Sequence, residues 1–119
     1  MNMEPWKIIQ LLERDNSRLY KEDTLDDFFN TEGLVKGLNY CLNNMITFGV
    51  ADIPKSVSNG SGLSADEFYD LADQLKNREL TGHAARDAIT EAMLIATSEQ
   101  WNDWYRRILI KDLRCGVSL

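Results

Sequence analysis

His83 is the only histidine in the chain, so proton transfer by imidazole has one candidate and no second imidazole to work with. No nucleophile motif stands beside it, and it forms no Ser–His–Asp or Cys–His set in the sequence. Cys41 and Cys115 are the only cysteines. Their wide spacing gives neither a disulfide framework nor the Cys-x-x-Cys pairs of a zinc site. Both are expected as free thiols that behave like small apolar side chains. The acidic pairs Glu22/Asp23 and Asp26/Asp27 repeat at helical spacing. Such carboxylates could act as general acid and base or hold a metal, but within an acidic half-chain they read as a solvated helix face. No Walker-type phosphate loop is present. No metal site and no catalytic residue is expected in this chain.

Two stretches could instead hold an anion. The first is Leu80-Thr81-Gly82-His83-Ala84-Ala85, with Arg86 next in line. A turn leads there into a helix start, where free backbone N–H groups and the helix dipole favour negative charge. Gly82 leaves room for a phosphate to approach. A contact of this kind grips a nucleic-acid backbone without reading its bases. The same residues also fit a plain helix cap. Gly82 is expected to keep ordinary first-turn geometry, so that even valine there would cost about 1 kcal/mol or less. The second stretch is Ile110 to Ser118, where a basic helix end meets a glycine. Lys111 and Arg114 could reach phosphate, with Gly116, Val117 and Ser118 beside them. Alternatively, these charges complement the dipole at a helix C-terminus.

These residues need elements to carry them, and the periodicity supplies helices. Trp6, Ile9 and Leu12, with Ile8 and Leu11 beside them, mark a helix over 4–14 that Pro5 can open. Asp15, Asn16 and Ser17 suit a restart, and a second helix is read to about Asn30 on Leu19, Leu25, Phe28 and Phe29. Thr31 can cap a third, with Leu34, Leu38, Leu42 and Met45 as its stripe and Tyr40 and Cys41 widening it; Gly33 and Gly37 weaken this reading. Residues 47–62 hold Gly49, Pro54, Gly60 and Gly62 and lose all helical period. Such a long loop is either functional or a mobile connector. Lys55, Ser58, Asn59 and Ser61 are its candidate contacts.

Ser64 and Glu67 are spaced as a capping box for a fourth helix with Phe68, Leu71 and Leu75 buried. Thr81 caps a fifth, whose small face is Ala84, Ala85, Ala88, Ile89 and Ala92. Ser98 caps a sixth, with Trp101, Trp104, Tyr105, Ile108 and Leu109 inward. The expected fold is one all-α domain over 1–119, a bundle of about six or seven short helices with one long loop.

The net charge of −6 weighs against a nucleic-acid partner, but its distribution weighs less. Residues 1–75 hold six Lys/Arg against thirteen Asp/Glu, and residues 76–119 hold seven against six. Arg106, Arg107, Lys111 and Arg114 cluster in the second part. No apolar run approaches the roughly 18 residues of a membrane span. The N-terminus has no signal-type pattern, so a cytoplasmic protein is expected.

The string RRILIKDLRCGVS (106–118) resembles the signature that closes the N-terminal helical domain of ATP-dependent DNA ligases. ELTGHAA (79–85) is similar to the Leu-Thr-Gly-x-Ala-Ala turn of T-even-type phage ligases and lies about thirty residues upstream, as it does there. LLERDNSRLYKEDTL (11–25) and ITFGVADIP (46–54) also look like that phage branch. The resemblance covers essentially the whole chain. It implies a domain that grips the minor groove on both sides of a nick and positions nicked double-stranded DNA for sealing in replication and repair. It implies nucleotidyltransferase and OB-fold domains in the same polypeptide, using ATP and Mg²⁺, but none of these in this segment. The family's adenylated Lys-x-Asp-Gly is absent, since Lys111-Asp112 is followed by Leu113. This segment alone is therefore expected to be inactive, free of cofactor and monomeric, in a bacterial or phage-infected cell. The competing reading is a helical protein-interaction domain that works through its acidic N-terminal half.

Overall fold

In the computed structural model, which describes residues 4–13 and 33–113, Pro5 opens α1 (Pro5–Glu13). A missing N–H costs nothing in a first helical turn. Ile8, Ile9 and Leu12 form its buried stripe. α2 spans Leu34–Leu42, α3 Ala65–Lys76 and α4 Gly82–Ile95. Ser98–Gln100 and Arg106–Ile110 are α-helical, and Trp101–Tyr105 between them is a π-helical turn. The three pieces form one continuous helix, α5, over 98–110. The described residues thus form five helices and no strand, and the all-α expectation holds. The expected second helix and its neighbour Thr31 lie outside the described residues.

Two starts are capped by their own side chains. Ser64 Oγ accepts the Glu67 N–H at 3.2 Å and donates to the Glu67 carboxylate at 3.1 Å. At α5 the cap is Thr97, one residue before the expected Ser98. Its Oγ accepts the Gln100 N–H and the Gln100 side chain accepts the Thr97 N–H, both at 3.1 Å. This reciprocal pair satisfies two orphan donors.

The core gathers on α5. Trp101, Trp104, Tyr105, Ile108 and Leu109 are all buried, as their spacing predicts. Phe68 of α3 stacks on Tyr105 with ring centroids 4.2 Å apart. α2 meets α5 on the expected face, but centred on its Tyr40–Cys41 side rather than on its leucines. Leu34, Gly37, Tyr40 and Cys41 are buried, Leu38 and Leu42 only partly so, and Met45 is 90% exposed beyond the helix end. Gly37 sets this register: a β-carbon there would overlap the Trp104 ring and lie 2.9 Å from Tyr69 Oη. The missing side chain is what lets α2 approach α5. Gly37→Ala should cost about 1–3 kcal/mol through overpacking. A urea titration checks this, and an unchanged midpoint would mean that the two helices can part without loss.

A polar ladder joins α1 to α5. Glu99 accepts from Trp6 Nε1 at 3.2 Å, Lys7 Nζ at 2.7 Å and Gln10 Nε2 at 2.9 Å. Gln10 also donates to Asp103 at 2.7 Å. Arg107 pairs with Glu13 and Asp103 and donates to the carbonyls of Asn102 and Leu113. The Gln10 amide first, and then the Lys7 ammonium, hold the Glu99 carboxyl below its ordinary value. A group whose folded pKa is depressed contributes stability above its unfolded pKa and loses it as pH falls through the folded one. Wild-type stability should therefore drop as pH falls below the ordinary carboxylate value of 4.5. Glu99→Gln should show a flatter acid limb in denaturation midpoints measured across that range; identical limbs would remove Glu99 from the acid response.

Candidate nucleic-acid interface

α3 ends in a left-handed stop at Arg78, with φ of 61°. The Glu79 N–H reaches Gln74 O at 2.8 Å and the Arg78 N–H reaches Leu75 O at 3.2 Å. Glycine is the usual residue for this motif. Here the guanidinium offsets the strain by donating to Leu75 O, Thr47 O and Thr47 Oγ1. The chain then turns through Leu80 into Thr81, the N-cap of α4. Thr81 has cap backbone geometry, but its hydroxyl accepts nothing from the helix. The N–H groups of Gly82, His83 and Ala84 have no acceptor among the described residues. All four residues are exposed, so Ala84 does not belong to the buried face that Ala85, Ile89 and Ala92 form.

Gly82 departs from the expected first-turn geometry. Its φ is 55°, while a β-carbon there would meet nothing within 4 Å. Space is open, but the backbone sits in the left-handed region, where β-branched residues are outliers. Valine at this position would strain the turn rather than be tolerated.

The long loop is stitched to α5. Asn102 grips both polar atoms of one peptide residue: its Oδ1 accepts the Ser56 N–H at 2.7 Å and its Nδ2 donates to Ser56 O at 3.0 Å. Trp101 Nε1 donates to Pro54 O at 2.9 Å, and Arg106 Nε to Ile53 O at 2.7 Å. Gln100 accepts the Leu63 N–H, and Tyr105 donates to Leu63 O. The Gly60 and Gly62 N–H groups close onto the carbonyls of Ala96 and Ile95 at the end of α4. Phe48, Ile53 and Leu63 are buried as anchors. The loop is therefore bonded to α5 and to the end of α4 at several points along its course and buries three anchors in the core.

The described part of the C-terminal basic cluster is engaged within the fold. Arg106 and Arg107 bond as above. Lys111 takes a left-handed φ of 59° after α5 and donates from Nζ to Tyr40 O at 3.1 Å and Asn43 O at 2.9 Å, closing the end of α2. Burial lowers the pKa of its ammonium. Two of its three donors are thus occupied. Arg114, Gly116, Val117 and Ser118 lie outside the described residues, as does Cys115. Cys41 is a buried free thiol whose Sγ donates to Arg107 O.

The loop and the start of α4 enclose a cleft of about 470 Å³, lined by Gly49–Pro54 on one side and by Gly82, Arg86, Ile89 and Thr90 on the other. Of the residues expected to bind, Gly82 and Arg86 line it, while Thr81 and His83 flank it in sequence. Arg86 is exposed and has no hydrogen-bond or ion-pair partner among the described residues. Lys55, exposed and equally without a partner, follows the lining residue Pro54. Ser58 is exposed and Ser61 likewise, but Asn59 has a structural bond, accepting the Ser98 N–H at 2.7 Å. The sequence reading missed Asp52, Ile89 and Thr90 as lining residues. The resemblance had pointed to 46–54, but no local pattern showed that this stretch faces α4. Chemically, the cleft offers unpaired N–H donors and a guanidinium to an anion of phosphate size. Among the described residues no group of three or more His, Cys, Asp or Glu could hold a metal ion, and no helix is long and apolar enough to cross a membrane.

Asn102→Ala should release the Ser56 peptide without unfolding the helices. Hydrogen exchange should then speed up at the Ser56 amide while the α3 amides stay protected. Unchanged exchange at Ser56 would mean that other contacts hold this wall of the cleft.

No family model matches the chain, and no curated protein does. Solved structures do match, among them two named "Pmar-Lig_Pre." and "Pmar-Lig_PreS3". They share 43% and 45% identity with this chain over 98% of its length, each with a TM-score of 0.95. The chain spans 28% of the length of each. The likeness is one of sequence as well as fold, and both names point to a ligase-related protein.

Proposed function

We propose that this chain is the helical DNA-binding domain of an ATP-dependent DNA ligase of the T-even phage type, holding nicked duplex through its phosphates without reading sequence. The observation that carries this is the cleft, where the uncapped start of α4 and the partnerless Arg86 converge on loop residues 49–54. Lys55 adds a second free cation next to that loop segment. The ligase-related neighbours, more than three times as long, fit the same reading. Nucleotidyltransferase and OB-fold domains, with ATP and Mg²⁺, would then belong to other parts of the polypeptide. This segment, lacking Lys-x-Asp-Gly, would contribute grip and no chemistry. It would act as a monomer in the cytoplasm of a bacterial or phage-infected cell. The protein-interaction alternative would rest on the exposed carboxylates of Glu4, Glu13, Asp52, Asp66, Glu67 and Asp70 among the described residues of the acidic half.

Titration of a labelled duplex at several salt concentrations tests the proposal. Affinity should fall with salt on a shallow slope, because few side chains neutralise phosphates. Arg86→Gln should weaken binding alike on unrelated sequences and lower the slope by about one. Gly82→Asn keeps a residue that tolerates left-handed geometry and places a side chain in the approach to the free N–H groups. It should lose binding while its melting temperature changes little. Binding that ignores salt, that requires one base sequence or that is indifferent to both variants would refute the proposal.

A further inference from the structure

Asp52 is a lining residue of the same cleft and carries a charge of the wrong sign for a phosphate. Its backbone has φ of 55°, one of three non-glycine residues with positive φ among those described. The other two, Arg78 and Lys111, use their side chains to bond carbonyls. Asp52 has no such compensation: its carboxylate is exposed and has no hydrogen bond or ion pair among the described residues. Although it shares the cleft with Arg86 and the start of α4, it neither pairs with that guanidinium nor caps those N–H groups. It is also held in place. The next residue, Ile53, is buried, and Arg106 grips its carbonyl. A fixed and uncompensated carboxylate contributes nothing visible to the fold, and non-glycine residues in left-handed geometry collect where function requires it.

We propose that Asp52 is an affinity-limiting residue of the cleft, whose carboxylate repels the bound phosphate and shortens the stay of the domain on duplex. This rests on the phosphate-binding reading above. The free N–H groups and Arg86 draw the backbone in, and Asp52 offsets part of that attraction, so that the grip stays reversible. One like charge across a solvent-accessible cleft changes affinity by about three- to tenfold.

The test titrates a labelled nicked duplex with the whole chain as wild type, Asp52→Asn and Arg86→Gln, at low and high salt. Asparagine keeps the size and tolerates the left-handed backbone. Asp52→Asn should bind about three- to tenfold more tightly at low salt. The gain should shrink toward parity near 1 M salt, where screening reaches only about 3 Å. A change that acts through folding alone would not follow salt in this way. Thermal melts should coincide with wild type, and Asp52→Gly, which takes the left-handed backbone freely, should show the same gain if the asparagine variant folds poorly. Equal or weaker binding by Asp52→Asn overturns the role of Asp52. The cleft reading survives that result if Arg86→Gln has lost affinity. If Arg86→Gln binds like wild type, the cleft reading falls, and the role of Asp52 falls with it.

Discussion

One helix, 98–110, holds the described structure together, and it does so by offering a different kind of contact on each side. Toward α1 it presents Glu99, Asp103 and Arg107, a polar ladder. Toward α2 it presents the flat ring of Trp104, which fits only because Gly37 has no side chain. Toward α3 it presents Tyr105, stacked on Phe68. Toward the loop it presents Gln100, Trp101, Asn102 and Arg106, each bonded to a backbone atom. The π-helical turn at Trp101–Tyr105 lies in the middle of this set, with the Arg106 N–H bonded to Trp101 O. Such turns are rare and tend to occur at functional places. α4 leads into it through Ala96 and the cap Thr97, and Gly60 and Gly62 of the loop bond the carbonyls at the end of α4.

The loop shows how irregular backbone can sit against a core. Its buried polar groups need partners as much as those of a helix do. Here side chains of α5 supply them, while Phe48, Ile53 and Leu63 provide the apolar anchorage. Arg78 and Lys111 add a clasp at its near end, bonding to Thr47 and Asn43 from two different helix stops. The result is a cleft wall anchored where it ends, by bonds from α5 to Ile53, Pro54 and the adjoining Ser56.

Much of this fold was legible because apolar period and cap chemistry are local signals. Ile8, Ile9, Phe68, Leu75, Trp101 and Ile108 all fall inward, as spacing alone requires. The face of α2 was legible in Leu34, Tyr40 and Cys41, but not its centre, because a leucine looks more buried than a glycine. Which face a helix turns inward depends on the partner, and the partner ring of Trp104 lies far along the chain. The candidate site was legible only in halves. The Thr81 turn could be found from its residues, but its meeting with 49–54 is a tertiary fact. The basic cluster misled for the same reason: charge in sequence gives no sign of whether a guanidinium faces solvent or, like those of Arg106 and Arg107, a neighbouring carbonyl or carboxylate.

The ladder between α1 and α5 also bears on how the chain comes into being. Its bonds join residues 89 to 94 positions apart. A helical protein usually gathers contacts between near neighbours and folds quickly for that reason. Here the first helix emerges from the ribosome with its apolar stripe of Ile8, Ile9 and Leu12 ready and its partner not yet made. Chains grow at about 5–20 residues per second, so that stripe waits for several seconds. Until 98–110 has been synthesised this ladder cannot form, so the bonds that tie α1 to α5 are made late rather than along the way.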